Sequence, residues 1–253
     1  MAKNLKSFEF TNKADKAISK TGWDIDFFAK IDTGAGNDTI TGTGSGIDIN
    51  SSGKIDTGAG NDTITGTGSD TGIENFGKID TGAGNDRIKG TGKDFGIFSF
   101  GNIITGAGND TITGTGSDLV GIYSLGKIDT GAGNDTITGT GKDCGIDANM
   151  IDTGTGDDIV DALKGGFKYG VIYLGPDNDT LKGFGEGKFY GGIGIDNMLF
   201  GEGTYEISGS NVVSGGVTMN VFEFEKIGGA NGGLFIFSNG TLTVDSAGIG
   251  TFA

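Results

Sequence analysis

The sequence predicts an all-β protein that forms a right-handed parallel β-solenoid (a β-roll or β-helix) with coils of about 24 residues and a cap at each end. The first observation is an octapeptide, Thr33–Ile40 (Thr-Gly-Ala-Gly-Asn-Asp-Thr-Ile), which recurs along the chain. A fixed period of this size is typical of stacked coils that each contact only their neighbours. The second is composition: 54 of 253 residues are glycine and one is proline, without the collagen spacing, which places glycine in turns.

The copies of the octapeptide keep their phase. Close copies occupy 57–64, 81–88 (with Arg87), 105–112 and 130–137, and looser copies occupy 153–160, 174–181 and 191–198. The first glycines of successive copies are separated by 24, 24, 24, 25, 23, 21 and 17 residues. Residues 33–203 are therefore predicted to form the solenoid, with coils that shorten toward the C-terminal end.

Residues 1–32 are predicted to form an N-terminal cap. Ser7–Thr11 alternates like a strand, Asn12–Ile18 is a degraded copy of the turn and strand, and Trp23–Phe28 supplies aromatic bulk. A stack of coils needs an atypical terminal unit because its last coil would otherwise expose unpaired edges. A ligand site is the alternative role for these aromatic residues.

Three apolar positions per coil indicate three short strands around a narrow core. In the first coil these positions are Ile40, Ile47 and Ile55. The next three coils supply Ile64, Ile73, Ile79, then Ile88, Ile97, Ile103, then Ile112, Ile122, Ile128. Burial of each isoleucine contributes roughly 1.5–3 kcal/mol, which the backbone entropy of so glycine-rich a chain nearly cancels. A further stabilising contribution is therefore expected.

Residues 204–253 carry no turn signature and are predicted to form a C-terminal cap. Val217–Glu225 has the pattern of a strand. Leu234–Val244 has the pattern of a hairpin closed by Asn239-Gly240.

The octapeptide resembles the hemolysin-type calcium-binding (RTX) repeat, Gly-Gly-x-Gly-x-Asp-x-U-x. Thr33 replaces the first glycine, whereas Gly34, Gly36, Asp38 and Ile40 keep the pattern, and 191–199 matches it without substitution. The resemblance covers about residues 33–200. The family's nine-residue units usually follow one another directly, but here each alternates with other sequence, which predicts one column of calcium sites.

Calcium is the expected source of the missing stability. It binds six to eight hard oxygens, and neighbouring coils would place two aspartates about 4.8 Å apart along the axis, where they repel unless a cation lies between them. The candidate carboxylate ligands are Asp38, Asp62, Asp86, Asp110, Asp135, Asp158, Asp179 and Asp196. Eight turns leave seven gaps, and seven Ca²⁺ would bring +14 against the net charge of −15.

Backbone carbonyls of the turns are expected to complete each site. The candidates lie around Gly34, Ala35, Gly36, Gly58, Ala59, Gly60, Gly82, Ala83, Gly84, Gly106, Ala107, Gly108, Gly131, Ala132 and Gly133. A second recurring set is expected to be solvated, with outer ligation as the alternative: Asp32, Asp56, Asp80, Asp129 and Asp152. The alternative for Asp38 and its copies is an Asx-turn residue that needs no metal.

Several functions are disfavoured. The chain has no histidine, which removes the common triads and the usual zinc sites, and the non-repetitive ends are too short for a catalytic domain, so we expect no enzyme. A net charge of −15 disfavours nucleic acid and anionic lipid as partners. No apolar run is long enough to span a membrane, and the lone Cys144 cannot form an internal disulfide.

Three non-enzymatic roles remain. The first is a self-associating structural protein of a surface layer, sheath, matrix fibre or adhesive. The second is ice binding through Thr-x-Thr ranks such as Thr39, Thr41 and Thr43, although Arg87 and Lys89 interrupt the ranks. The third is a passive secretion or stability module. The C-terminal tail resembles the uncleaved export signal of RTX proteins, which implies a type I secretion machine and an extracellular or cell-surface location.

Overall fold

The computed structural model describes residues 3–4, 13–18, 25–27, 30–44 and 46–253, which form an all-β parallel solenoid. All of the named elements in these residues are strands. Among the same residues there is no helix with the length and apolarity needed to cross a membrane.

The N-terminal strands are β1 Lys3–Asn4, β2 Lys16–Ile18, β3 Ile25–Phe27 and β4 Ile31–Asp32. The repeat coils contribute β5 Thr39–Thr43, β6 Ile47–Ser51, β7 Lys54–Asp56, β8 Thr63–Thr67, β9 Thr71–Asn75, β10 Lys78–Asp80, β11 Arg87–Gly92, β12 Phe95–Ser99, β13 Asn102–Ile104, β14 Thr111–Gly116, β15 Val120–Asp129, β16 Thr136–Gly141 and β17 Cys144–Asp152. The shorter coils and the C-terminal region contribute β18 Ile159–Lys164, β19 Val171–Pro176, β20 Thr180–Lys182, β21 Gly187–Ile193, β22 Asn197–Phe200, β23 Gly203–Ser208, β24 Asn211–Ser214, β25 Val217–Phe222, β26 Lys226–Gly229, β27 Gly232–Ile236, β28 Gly240–Val244 and β29 Gly250–Phe252.

Each regular coil consists of three strands, as predicted. The strand that follows the glycine turn joins an eleven-stranded sheet, β2-β5-β8-β11-β14-β16-β18-β20-β22-β26-β27. The other strands belong to an eighteen-stranded sheet, in which β15 and β17 merge two strands of one coil. Successive coils pair in parallel with identical residues side by side, for example Thr63, Ile64 and Thr65 against their equivalents in β5.

The core is a set of isoleucine columns along the axis. Ile40, Ile64, Ile88 and Ile112 stack in the eleven-stranded sheet and are fully buried. The assignment of Ile47 to the core is wrong: it pairs with Thr71 and is partly exposed, whereas Ile49 pairs with Ile73 and is fully buried.

The described part of residues 1–32 continues the stack. Strand β2 pairs with β5, with Ala17 opposite Ile40, and β3 and β4 pair with β6 and β7. The predicted strand at Ser7–Thr11 and half of the Trp23–Phe28 segment, including Trp23, lie outside the described residues. The capping role of this region stays a prediction.

The C-terminal region changes from parallel to antiparallel pairing. The predicted strand Val217–Glu225 is present as β25 and pairs antiparallel with β24. The predicted hairpin at Leu234–Val244 is wrong, because β27 pairs with β26 while β28 pairs with β23 and β29. The two halves of the expected hairpin therefore belong to different sheets.

Candidate metal site

Each glycine turn is shaped by close approach of the next coil. Gly58 and Gly60 have φ values of +89° and +134°, which side-chain-bearing residues rarely adopt. A Cβ on Gly58 would lie 1.8 Å from the Gly34 carbonyl oxygen, and one on Gly60 would lie 2.0 Å from that of Gly36. Only glycine therefore fits at both positions, and both carbonyls point along the axis at the following coil.

The turn carbonyls meet in the gaps between coils. The Ala59 N–H donates to the Gly34 carbonyl (3.0 Å), and the Gly36 N–H donates to the Ala59 carbonyl (2.7 Å). Carbonyls of Gly34 and Ala59 thus face the same gap from opposite sides, and each keeps a second lone pair after accepting one hydrogen bond. The turn carbonyls that the sequence analysis named as candidate ligands therefore lie on both sides of each gap between coils.

The eight predicted aspartate ligands form one buried column. All are at most 2% exposed: Asp38, Asp62, Asp86, Asp110, Asp135, Asp158, Asp179 and Asp196. Each Oδ1 accepts the backbone N–H of the aspartate in the preceding coil, as in the 2.7 Å bond from Asp38 N–H to Asp62 Oδ1. The bonds join residues 17 to 25 positions apart, so they are not local Asx turns.

The orientation of these side chains corrects one expectation about the predicted metal sites. Two aspartates were predicted to face each other across each gap, but every carboxylate is drawn toward the preceding coil by its hydrogen bond. One carboxylate therefore reaches into each gap. The column begins at Asp15, whose N–H donates to Asp38, and ends at Glu225, whose Oε2 accepts from the Asp196 N–H (2.7 Å). Sequence reasoning missed Glu225 because it lies outside the repeat.

The second carboxylate oxygen of each aspartate has no hydrogen bond of good geometry. The Oδ2 atoms of all eight are buried, and in five coils the hydroxyl of the turn's first threonine lies close enough to lower the pKa of the aspartate, as Thr57 does for Asp62. A buried carboxylate oxygen left without a partner costs free energy, and more so when the group is charged. The column is therefore unfavourable as a set of bare anions.

Burial also changes the acidity of the column. It raises the pKa of Asp62, Asp86, Asp135 and Asp196 to about 6 and the pKa of Asp158 and Asp179 to about 7. Burial raises the pKa of Asp110 as well. The backbone hydrogen bond that each of these seven carboxylates accepts, together with a threonine hydroxyl at five of them, opposes this shift. A proton or a cation is thus favoured at these seven carboxylates.

Two further side-chain ladders flank the column. The Thr33 hydroxyl donates to the Thr57 carbonyl (3.0 Å), and Thr57 donates to Thr81 in turn (3.2 Å). On the exposed side, Asn37 Oδ1 accepts the Asn61 N–H (2.8 Å), a bond that the later coils repeat. The strict recurrence of threonine and asparagine in the octapeptide was the signal for these structural roles.

The second recurring aspartate set lies on the surface and forms ion pairs. Lys54 contacts Asp56 (2.6 Å) and Asp80 (3.2 Å), and Lys127 contacts Asp129 (2.7 Å) and Asp152 (2.9 Å). Hydrogen bonding to Lys78 and Lys54 lowers the pKa of Asp80, against the effect of its partial burial. These partly exposed aspartates therefore have lysine partners, which the sequence analysis did not predict.

Aromatic side chains form columns at the surface, partly or largely exposed, that sequence reasoning did not identify. Phe76 stacks on Phe100 (5.3 Å between ring centroids), and Tyr190 lies between Tyr173 (4.9 Å) and Phe222 (4.8 Å). Because these rings stack on one another along the axis, they cover each other's faces.

A metal ion in the turns would be bound by carboxylate and backbone carbonyl oxygens together. Within the described part of the chain, no three histidine, cysteine, aspartate or glutamate side chains form a metal-binding group. The gaps instead combine one buried carboxylate with carbonyl oxygens from two coils. Oxygen-only ligation of this kind suits a hard cation such as Ca²⁺ and disfavours zinc or copper.

Comparisons with known proteins assign no family. No family model, no curated protein and no solved structure matches this chain.

Proposed function

We propose that this chain is a secreted calcium-binding repeat protein with a structural role, whose β-solenoid is stabilised outside the cell by Ca²⁺ between successive glycine turns. The observation that carries the proposal is the column of eight buried carboxylates, each with one oxygen in a backbone hydrogen bond and the other buried without a hydrogen bond of good geometry. A divalent cation supplies the missing partner in every gap.

The energetic argument favours a cation over bare ionised acids. Raising a buried aspartate from its usual pKa near 3.8 to about 6 costs about 3 kcal/mol of stability at pH 7. Repeated along the column, this penalty weighs against the ~5–15 kcal/mol stability of a typical domain. Calcium reverses this penalty because it binds the carboxylate and has no comparable affinity for the unfolded chain.

The ligand set matches calcium in type. Calcium accepts carboxylate and carbonyl oxygens together and tolerates irregular geometry, so one carboxylate and carbonyls such as those of Gly34, Gly36 and Ala59 are suitable donors. One ion per gap gives up to seven ions between the eight turns. These ions would also offset most of the net charge of −15.

The structural role and the location outside the cell follow from this dependence. A chain whose folding needs calcium stays unfolded where calcium is scarce and folds after export. Its repeated coils supply a rigid rod with a thin core and long outer faces, which suits a surface layer, sheath, fibre or adhesive better than a catalytic pocket.

Calcium titration of the full chain tests the proposal. We expect circular dichroism to show a transition from disorder to β structure at neutral pH, and calorimetry to give several ions per chain. The informative variant is Asp110→Asn, which keeps an oxygen to accept the Asp86 N–H (2.8 Å) but removes the charge. Its matched control is Asp129→Asn, which removes a surface carboxylate paired with Lys127.

The two variants separate a ligand from a hydrogen-bond acceptor. Asp110→Asn should bind at least one ion fewer and need more calcium to fold, whereas Asp129→Asn should titrate like the wild type. Equal calcium binding by all three proteins, or a chain that is fully ordered in excess chelator at neutral pH, would overturn the calcium assignment.

Ice binding is a second candidate because threonines line up on the eleven-stranded sheet. Thr39 pairs with Thr63, Thr41 with Thr65, and Thr111 with Thr136, and all six are partly exposed. Arg87 and Lys89 occupy the equivalent positions of β11 and interrupt these rows of threonines. If ice is the ligand, thermal hysteresis is present, falls in Thr65→Tyr and rises in Arg87→Thr/Lys89→Thr. A chain without hysteresis in saturating calcium eliminates this candidate.

A further inference from the structure

A cleft lies at the surface where the repeat coils give way to the C-terminal region. Its volume is about 560 Å³, which falls in the range of small-molecule sites. One row of lining side chains consists of register partners in β19, β21 and β25: Val171, Lys188 and Asn220. The other row consists of the residues two positions earlier in each segment: Tyr169, Glu186 and Thr218. Gly170 and Gly187 lie between the rows and add no side chain to the cleft.

Tyr169 lines this cleft in a backbone conformation that suits glycine. Its φ is +62°, which bulky residues rarely adopt. The residue is 62% exposed, so burial of its ring does not offset the strain. Strained backbone of this kind is found mainly at binding and active sites. The exposed, strained tyrosine is therefore a candidate ligand contact.

The ring of Tyr169 is available for stacking. Lys168 Nζ lies 5.9 Å from the ring centroid, and no aromatic ring in the described part of the chain stacks on it. A second cleft, of about 360 Å³, shares Tyr169 and Glu186 with the first. These two residues are therefore accessible from both clefts.

The polar side chains around the ring have hydrogen-bonding groups to offer. Among the described residues, Glu186 and Lys188 form no ion pair, and the side chains of Asn149 and Thr218 form no hydrogen bond. A carboxylate accepts hydrogen bonds, an ammonium group donates them, and an amide or a hydroxyl does both. The cleft therefore combines donors and acceptors beside an aromatic ring.

We propose that this cleft binds a neutral saccharide, with the apolar face of one sugar ring on Tyr169 and the sugar hydroxyls bonded to Glu186, Lys188 and Asn149. A sugar ring has a C–H face that packs on an aromatic ring, and its hydroxyls both donate and accept. The lining offers these two kinds of contact side by side.

The charges of the cleft favour a ligand without net charge. Glu186 and Lys188 are opposite charges in neighbouring segments of the lining. A nucleotide would also stack on Tyr169, but its phosphates are repelled by a chain with a net charge of −15. A lipid would need more apolar lining than Tyr169 and Val171 supply.

This site is separate from the glycine turns and goes beyond the proposed function. Calcium binding is measured on the same samples, so the two proposals fail independently. A chain that binds calcium but no saccharide would contradict this inference alone.

Binding of the full chain in saturating calcium to arrayed oligosaccharides tests the ligand class. The probes are neutral oligomers of glucose, galactose, mannose and N-acetylglucosamine, with sulfated and uronic-acid oligomers for comparison. We expect a neutral series to bind, and calorimetry to show that Tyr169→Gly weakens this binding at least about tenfold. The matched control is Tyr173→Ala, which removes another exposed ring (39%) outside the cleft and should leave the affinity unchanged. No glycan bound, binding of anionic glycans alone, or equal weakening by both variants overturns the proposal.

Urea unfolding separates a ligand contact from a structural role for Tyr169. Tyr169→Gly should unfold at a urea concentration no lower than the wild type, because glycine adopts a φ of +62° without strain. A variant that loses both binding and stability would contradict the assignment of Tyr169 as a ligand contact. Glu186→Gln, which removes the charge but keeps the shape, should weaken saccharide binding, whereas Glu206→Gln, at an exposed position of β23, should not.

Discussion

Replacing Asp135 by asparagine should remove the share of the pH dependence of stability that one buried carboxyl contributes in the metal-free protein. Asp135 is 1% exposed, and its Oδ1 accepts the Asp110 N–H at 2.7 Å. Burial raises the pKa of this carboxyl to about 6 from an ordinary value of 3.8. Asparagine keeps an acceptor oxygen at this position but cannot ionise.

The sign follows from proton linkage. Between the two pKa values, from about pH 4 to about pH 6, the folded wild type holds a proton at Asp135 that the unfolded chain has released, so stability falls as pH rises and levels off near pH 7. For a shift of about two units the loss is about 2–3 kcal/mol over this interval. The amide nitrogen of asparagine would be an unsatisfied buried donor, but that cost of ~1–3 kcal/mol is the same at every pH.

Urea unfolding in chelator, at intervals from pH 4 upward, measures the effect. The free energy of unfolding of Asp135→Asn should decline about 2–3 kcal/mol less than that of the wild type over the interval where both remain folded. Asp129→Asn, on the surface at the end of the preceding coil, should follow the wild type closely. Parallel pH profiles for Asp135→Asn and the wild type would refute the link between burial and ionisation.

Three further outcomes are expected. Gly106→Ala should destabilise the protein by ~3 kcal/mol or more in urea unfolding, because φ is +98° and a Cβ would lie 1.9 Å from the Gly82 carbonyl oxygen. Its control, Gly209→Ala, should cost ~1 kcal/mol, because φ is +57° and no atom lies within 4 Å of the added Cβ. Ile97→Ala should cost ~2–5 kcal/mol in the same assay, since Ile97 is fully buried in a column that cannot collapse around a cavity. Lys127→Met should cost less than ~1 kcal/mol, with the loss disappearing at high salt, because its ion pairs with Asp129 and Asp152 are partly exposed.

Periodicity predicted most of the solenoid because each coil repeats the same local sequence pattern. The glycine turns, the three strands per coil and the stacked isoleucines all follow from residues that recur in phase. The error at Ile47 has a local cause: Ile47 and Ile49 are both isoleucine, and only pairing with Thr71 and Ile73 of the next coil decides which points inward.

Contacts between coils were harder to predict. The sequence indicated that the aspartates share one column, but the lean of Asp62 toward the Asp38 N–H depends on the axial offset of neighbouring backbones. The surface ion pairs could have been found, since Lys54-Ile55-Asp56 places lysine and aspartate on one face of a strand. The hairpin error arose because Asn239-Gly240 marks a turn without identifying which strands pair around it.

Because neighbouring coils pair with equivalent residues side by side, a whole coil can be removed while the remaining coils keep their register. Removing residues 81–104 would join Asp80 to Thr105, a junction of the same type as Asp56–Thr57, and would bring Ile64 against Ile112. Each deleted unit should shorten the rod by about 4.8 Å, measurable by small-angle scattering. The same excision removes Arg87 and Lys89 from the threonine face, whereas removing residues 57–80 shortens the rod equally and keeps both, so the two truncated proteins together separate the effect of length from that of surface pattern.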